Sequence, residues 1–171
     1  MIKILLNPFV KIAGYKALIY GWLLILITAV IAYFSHTHFD GAIDAHGGTK
    51  TLWWVYLLEP FIAWISVTII FYLTGLIFSQ SKIRFADVAG TLALARFPMF
   101  FTALLYFGPM PDIKALDKIS FVTVLNIVCL TICGIWMIAL FFNAYTVSCN
   151  PKKGKTVWTF ILALIVAEII S

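Results

Sequence analysis

Five stretches of continuously apolar sequence, at 17–34, 53–78, 86–107, 119–147 and 157–170, leave this chain very few ways to fold. Each is long enough, or nearly so, to cross a hydrocarbon layer of roughly 30 Å as a helix. In such a layer the backbone must satisfy its own hydrogen bonds, which only helices and closed barrels do. Barrel strands alternate polar and apolar residues, and these runs do not. The expected fold is all-α: a polytopic membrane protein, a bundle of five transmembrane helices with a short interfacial N-terminal segment. The connections are too short to fold separately, so residues 1–171 read as one domain.

With 63% hydrophobic and 11% charged residues, a soluble domain is excluded. The net charge of +5 is uneven. Lys3, Lys11 and Lys16 precede the first run, Lys82 and Arg84 follow the second, and Lys152, Lys153 and Lys155 follow the fourth. The opposite side has Lys50, Lys114 and Lys118. The positive-inside rule then puts the N-terminus in the cytoplasm and the C-terminus outside. The first run is long and lacks a small-x-small cleavage pattern, so it reads as a retained signal anchor. Anionic lipid explains these juxtamembrane lysines, and nucleic acid is not an expected partner.

Residues 1–16 alternate lysines with apolar groups, and Asn7-Pro8 can open a short helix. An interfacial helix on anionic lipid is expected, with a flexible tail as the alternative. Trp53, Trp54, Tyr56 and Trp158 stand at run ends, where aromatic belts form. Gly75, Gly90, Ala93 and Gly134 allow close helix contacts. Cys129 and Cys133, one turn apart, and Cys149 read as small buried thiols without a disulfide or redox role.

In the external loop 35–52, His36, His38, Asp40, Asp44 and His46 set imidazoles and carboxylates close together, with Gly41, Gly47 and Gly48 to let the chain wrap. Zinc or a similar ion takes such ligands, although the spacing matches no standard pattern and a solvated loop explains the same residues.

Arg96 lies within the third run, where a lipid-facing arginine costs about 2.5 kcal/mol or more and needs a partner. At a helical rise of about 1.5 Å per residue, Glu59 lies roughly 9 Å, Asn126 roughly 10 Å, Arg96 roughly 16 Å and Glu168 roughly 13 Å below the outer boundary. One polar layer is expected, with Arg96 paired to Glu59 or Glu168 and Asn126 adding a hydrogen bond. Pro60 and Pro98 free carbonyls in the same layer. Such a layer serves either as an ion pair that fixes packing or as a cavity for an ion, proton or lipid headgroup. The chain has no paired catalytic carboxylates on one helix, no Gly-x-Ser-x-Gly and no His-Glu-x-x-His, and no enzymatic activity or cofactor is expected.

The pattern Phe85, Gly90, Leu94 and Pro98, with Trp136 followed by Ala144 and Tyr145 and a basic loop before a final span, resembles the Yip family of Ypt/Rab-interacting membrane proteins and their bacterial relatives. The resemblance covers residues 53–170 and implies five spans with a cytoplasmic N-terminus. It also implies a scaffold or adaptor role, with other membrane proteins or a second copy as partners. In eukaryotic members the cytoplasmic N-terminal region helps to bind prenylated Rab GTPases. Here that region is sixteen residues long and lacks the Asp-Leu-x-Gly-Pro type motif, so Rab binding does not carry over. A compact member of this kind implies a bacterial cytoplasmic membrane. Arg96 stands where the family pattern is usually apolar. A small transporter, channel or lipid-handling protein using Glu59, Arg96, Asn126 and Glu168 is the alternative function.

Overall fold

The computed structural model describes residues 5–110, 120–152 and 154–171. Lys3, Lys114, Lys118, Lys153 and the start of the fourth expected run lie outside them. Within the described residues, six α-helices have defined bounds, in order: α1 (Gly14–Ser35), α2 (Val55–Phe78), α3 (Phe85–Ala95), α4 (Pro98–Leu105), α5 (Phe121–Cys149) and α6 (Thr156–Ile170). Two short strands, β1 (Thr37–His38) and β2 (His46–Gly47), pair antiparallel between α1 and α2. The helices α1, α2, the α3–α4 pair and α5 are long and apolar enough to cross a membrane, and α6 is shorter. Their outward faces carry exposed Leu23, Ile27, Val30, Leu73, Val124, Val128 and Ile132. The chain is mostly helical and has the features of a multi-pass membrane protein.

The third run is two helices because of Pro98. Its ring has no N–H to give the Leu94 carbonyl and crowds that carbonyl sterically. Tighter turns fill the gap: the Arg96 amide donates to Ala93 at 3.3 Å and the Phe97 amide to Leu94 at 3.1 Å. Arg96 therefore sits at the break, with φ −77 and ψ 1.

At one end of the bundle the Gln80 amide donates to the Asn150 carbonyl and the Lys152 amide to Phe78, both at 3.1 Å. Lys82, Arg84, Lys152 and Lys155 gather on these connections; we call this the basic end. The opposite, hairpin end carries β1, β2 and Lys50. Phe71, Phe141, Tyr145 and Phe160 form the aromatic centre between α2, α5 and α6, with ring centroids 5.4 Å apart for Phe71–Tyr145 and 5.7 Å for Phe71–Phe160. The Tyr145 hydroxyl donates to Thr159 Oγ1 at 2.9 Å.

Close approach of α1 to α3 needs Gly21 and Gly90. A Cβ at Gly90 would lie 2.3 Å from the Gly14 carbonyl oxygen, and one at Gly21 would lie 2.5 Å from the Leu94 nitrogen. Gly75 admits Ile83 and Cys149 in the same way, whereas a Cβ at Gly134 meets nothing within 4 Å among the described residues, which show no close helix contact there. Trp53, Trp54 and Trp158 are exposed at helix ends as belts require, but Tyr56 is buried.

The N-terminal segment also departs from expectation. Pro8–Val10 is a 3₁₀ turn that follows Asn7 and has Pro at its first position. Instead of lying flat at the interface, the segment tucks beside the middle of α5. Trp136 Nε1 donates to the Leu5 carbonyl at 3.0 Å, Asn143 Nδ2 donates to Leu6 at 2.9 Å, and Phe9 is buried. A chain entering an apolar layer must place its carbonyls on donors, and these two side chains supply them.

Candidate functional site

Residues 37–47, expected in a solvated loop, form a hairpin sunk into the end of the bundle. The register pairs Thr37 with Gly47 and His38 with His46. Phe39 is 2% exposed, and Thr37 and Ala42 are fully buried. Three apolar side chains among polar ones, Phe39, Ala42 and Ile43, drive the insertion by leaving water. Insertion strips water from the hairpin backbone, whose groups then need protein partners.

Arg96, 3% exposed, supplies one of them. Its Nη1 donates to the Ala42 carbonyl at 3.0 Å and its Nη2 to Gly41 at 3.5 Å. From the other side, Glu168 Oε2 accepts the Ile43 amide at 2.9 Å and Ser171 Oγ accepts the Ala42 amide at 3.0 Å. Tyr106 Oη donates to the Ala45 carbonyl at 2.8 Å. Glu59 Oε1 lies 2.8 Å from His38 Nδ1, and its Oε2 accepts the Phe39 amide at 3.3 Å. His38 is stacked between Tyr56 and His46, with centroids 4.9 and 5.6 Å away.

Three of the four expected layer residues, Glu59, Arg96 and Glu168, thus meet on the hairpin, but not on one another. The ion pair of Arg96 with Glu59 or Glu168 is absent: backbone carbonyls take the guanidinium, Glu59 pairs with His38, and Glu168 holds an amide. Asn126 is elsewhere. Its Nδ2 donates to the Leu105 and Pro109 carbonyls at 3.1 and 3.2 Å, closing the end of α4. Depth along each helix was calculable from residue counts, but the rotation of each helix and the presence of the hairpin were not. Ser171 and Tyr106 were missed; the signal for them was the apolar Phe39, Ala42 and Ile43 in an otherwise polar loop.

Arg96 Nε has no hydrogen-bond partner among the described residues. It borders a cavity of about 10 Å³ shared with Thr28, Phe39, Pro60 and Met99, room for at most a single water. A second pocket of about 170 Å³ lies between the hairpin, α4 and α5, lined among others by Asp44, Thr102, Tyr106 and Cys133.

On the hairpin's outer side, ligand atoms of Asp40, Asp44 and His46 all lie within 4.8 Å of one another, with His46 Nε2 3.2 Å from Asp40 Oδ2. Burial works against the His46 proton, but the Asp40 hydrogen bond and charge, the Gly47 backbone and Asp44 outweigh it and raise its pKa above the ordinary 6.5. The other two expected ligands are not in this group: His38 is engaged by Glu59, and His36 ends α1 in a left-handed conformation with φ 56.

The residues of the Yip-like pattern each have a packing task. Phe85 lies edge-on to Tyr72, Gly90 admits α1, Leu94 flanks the break that Pro98 imposes, and Trp136 holds the N-terminal segment. No protein-family model, no curated protein and no solved structure matches this chain.

Proposed function

We propose that this protein is a membrane-embedded scaffold or adaptor, without enzymatic activity, of the kind the Yip-like pattern implies. The observation that carries this reading is the seated hairpin. It fills the bundle between Arg96 and Glu168 and leaves about 10 Å³ beside the guanidinium. A transporter needs an aqueous route to its intramembrane charge, and a charge held against backbone with room for one water favours a fixed, packed body instead. The exposed apolar helix faces supply surface for lipid, another membrane protein or a second copy. In this proposal the basic end faces the cytoplasm of a bacterial cell and the hairpin faces outward, following the lysine asymmetry.

Reconstitution into proteoliposomes tests the reading. Proton, potassium and chloride fluxes are expected at the level of protein-free vesicles. Photo-crosslinkers on the exposed faces of α1 and α5 in cells are expected to give discrete adducts. Flux abolished by Arg96→Met would overturn the scaffold and establish the transporter.

A further inference from the structure

The hairpin has two chemically different sides. Its inner side is fixed by Arg96, Glu168, Ser171 and Tyr106, whereas its outer side gathers three ligand-type groups that those contacts leave free. We propose that Asp40, Asp44 and His46 bind a divalent transition-metal ion of the zinc class.

The geometry is close to what the ion demands. Zinc holds nitrogen and carboxylate oxygen at about 2.0–2.2 Å, so its ligands lie up to roughly 4 Å apart. The three groups already fall within 4.8 Å, and the closure required is about 1 Å of side-chain motion. The backbone beneath them needs no rearrangement, because Arg96, Glu168 and Tyr106 hold Gly41, Ala42, Ile43 and Ala45 by hydrogen bonds. Pre-fixed ligands lose less freedom on binding than those of a mobile loop.

The donor set selects the ion. Magnesium and calcium take oxygen ligands, six or more for calcium, whereas one imidazole with two carboxylates suits zinc and its neighbours. Two carboxylates against one neutral imidazole give the site net negative charge, which a dication neutralises. Asp44 also lines the 170 Å³ pocket beside Tyr106 and Cys133, so water or a small anionic ligand has space next to an ion with unfilled coordination positions. The imidazole–carboxylate contact of His46 with Asp40 becomes shared coordination when the ion enters.

The test is titration of the full chain in detergent, stripped with chelator, with zinc chloride alone. One zinc per chain is expected. Asp44→Asn and His46→Gln should each weaken binding roughly tenfold or more, since loss of even an outer-layer partner costs ten- to a hundredfold. His36→Asn, outside the group, should leave affinity unchanged, and millimolar magnesium should not compete. Zinc should raise the melting temperature of the wild type but not of Asp44→Asn or His46→Gln, whose zinc-free melting temperatures report that they fold. No binding by the wild type, or equal affinity in the wild type and both ligand variants, overturns the proposal.

Discussion

Arg96 and Glu168 grip the two ends of a single peptide group of the hairpin without pairing with each other: the guanidinium takes the Ala42 carbonyl at 3.0 Å and the carboxylate takes the Ile43 amide at 2.9 Å. A buried cation and a half-buried anion are thereby coupled through one peptide group.

Removing the cation should loosen the hairpin more than the helices. Arg96→Met keeps the bulk but leaves the Gly41 and Ala42 carbonyls without their donor, at about 1–3 kcal/mol for each unpaired group. Hydrogen exchange at 39–45 should accelerate markedly while helical circular dichroism is retained. Equal protection in the variant and the wild type would show that the arginine does not hold the loop.

Glu168 should tolerate loss of charge but not loss of its acceptor. Glu168→Gln retains an oxygen for the Ile43 amide and should shift stability by less than about 1 kcal/mol, whereas Glu168→Ala should cost about 1–3 kcal/mol. Combining Glu168→Ala with Arg96→Met should give no rescue, because each change leaves its own end of the Ala42–Ile43 peptide group, carbonyl or amide, without a partner. Recovery of folded yield in the double variant would mean a direct ion pair after all.

The two close-packed glycines and the open one should separate cleanly. Gly21→Val and Gly90→Val force atoms into neighbouring backbone and should each destabilise by about 1–3 kcal/mol in thermal unfolding. Gly134→Ala meets open space and should be neutral or stabilising by up to about 1 kcal/mol, through helix propensity. A large loss at Gly134 would point to a neighbour outside the monomer.

Trp136→Phe preserves ring packing against Phe97 and Phe101 but removes the donor to Leu5. Together with Asn143→Leu it should release the N-terminal segment. Trypsin cleavage at Lys11 is expected to speed up several-fold with little change in bundle melting. Unaltered cleavage would place the hold elsewhere, in Phe9.

Helix positions were legible because a hydrocarbon layer admits few solutions: the expected 53–78 and 157–170 nearly coincide with Val55–Phe78 and Thr156–Ile170. The break at Arg96 and Phe97 was foreshadowed by Pro98 but read only as a freed carbonyl. Counting residues put Glu59, Arg96 and Glu168 at related depths, and all three do engage one element. Their pairing was illegible because a long arginine chooses among carboxylates and carbonyls according to helix rotation, which composition does not encode. Asn126 shows the same limit: similar depth, different azimuth, different task. The loop misled because Asp40, Asp44 and His46 do face outward, while Phe39, Ala42 and Ile43, with the buried Thr37 and His38, carry the inner side.

The contact between Ile43 and Glu168 joins residues 125 positions apart, and Ala42 reaches Ser171 across 129. During insertion, α1 and α2 therefore enter the membrane with a hairpin whose seat does not yet exist, and Arg96 arrives before the helix that completes the clamp. Non-local closures of this kind are slow to form. Until α6 is in place, the Ile43 and Ala42 amides lack the partners that Glu168 and Ser171 supply. Docking of α6 is then the step that closes the clamp on the hairpin.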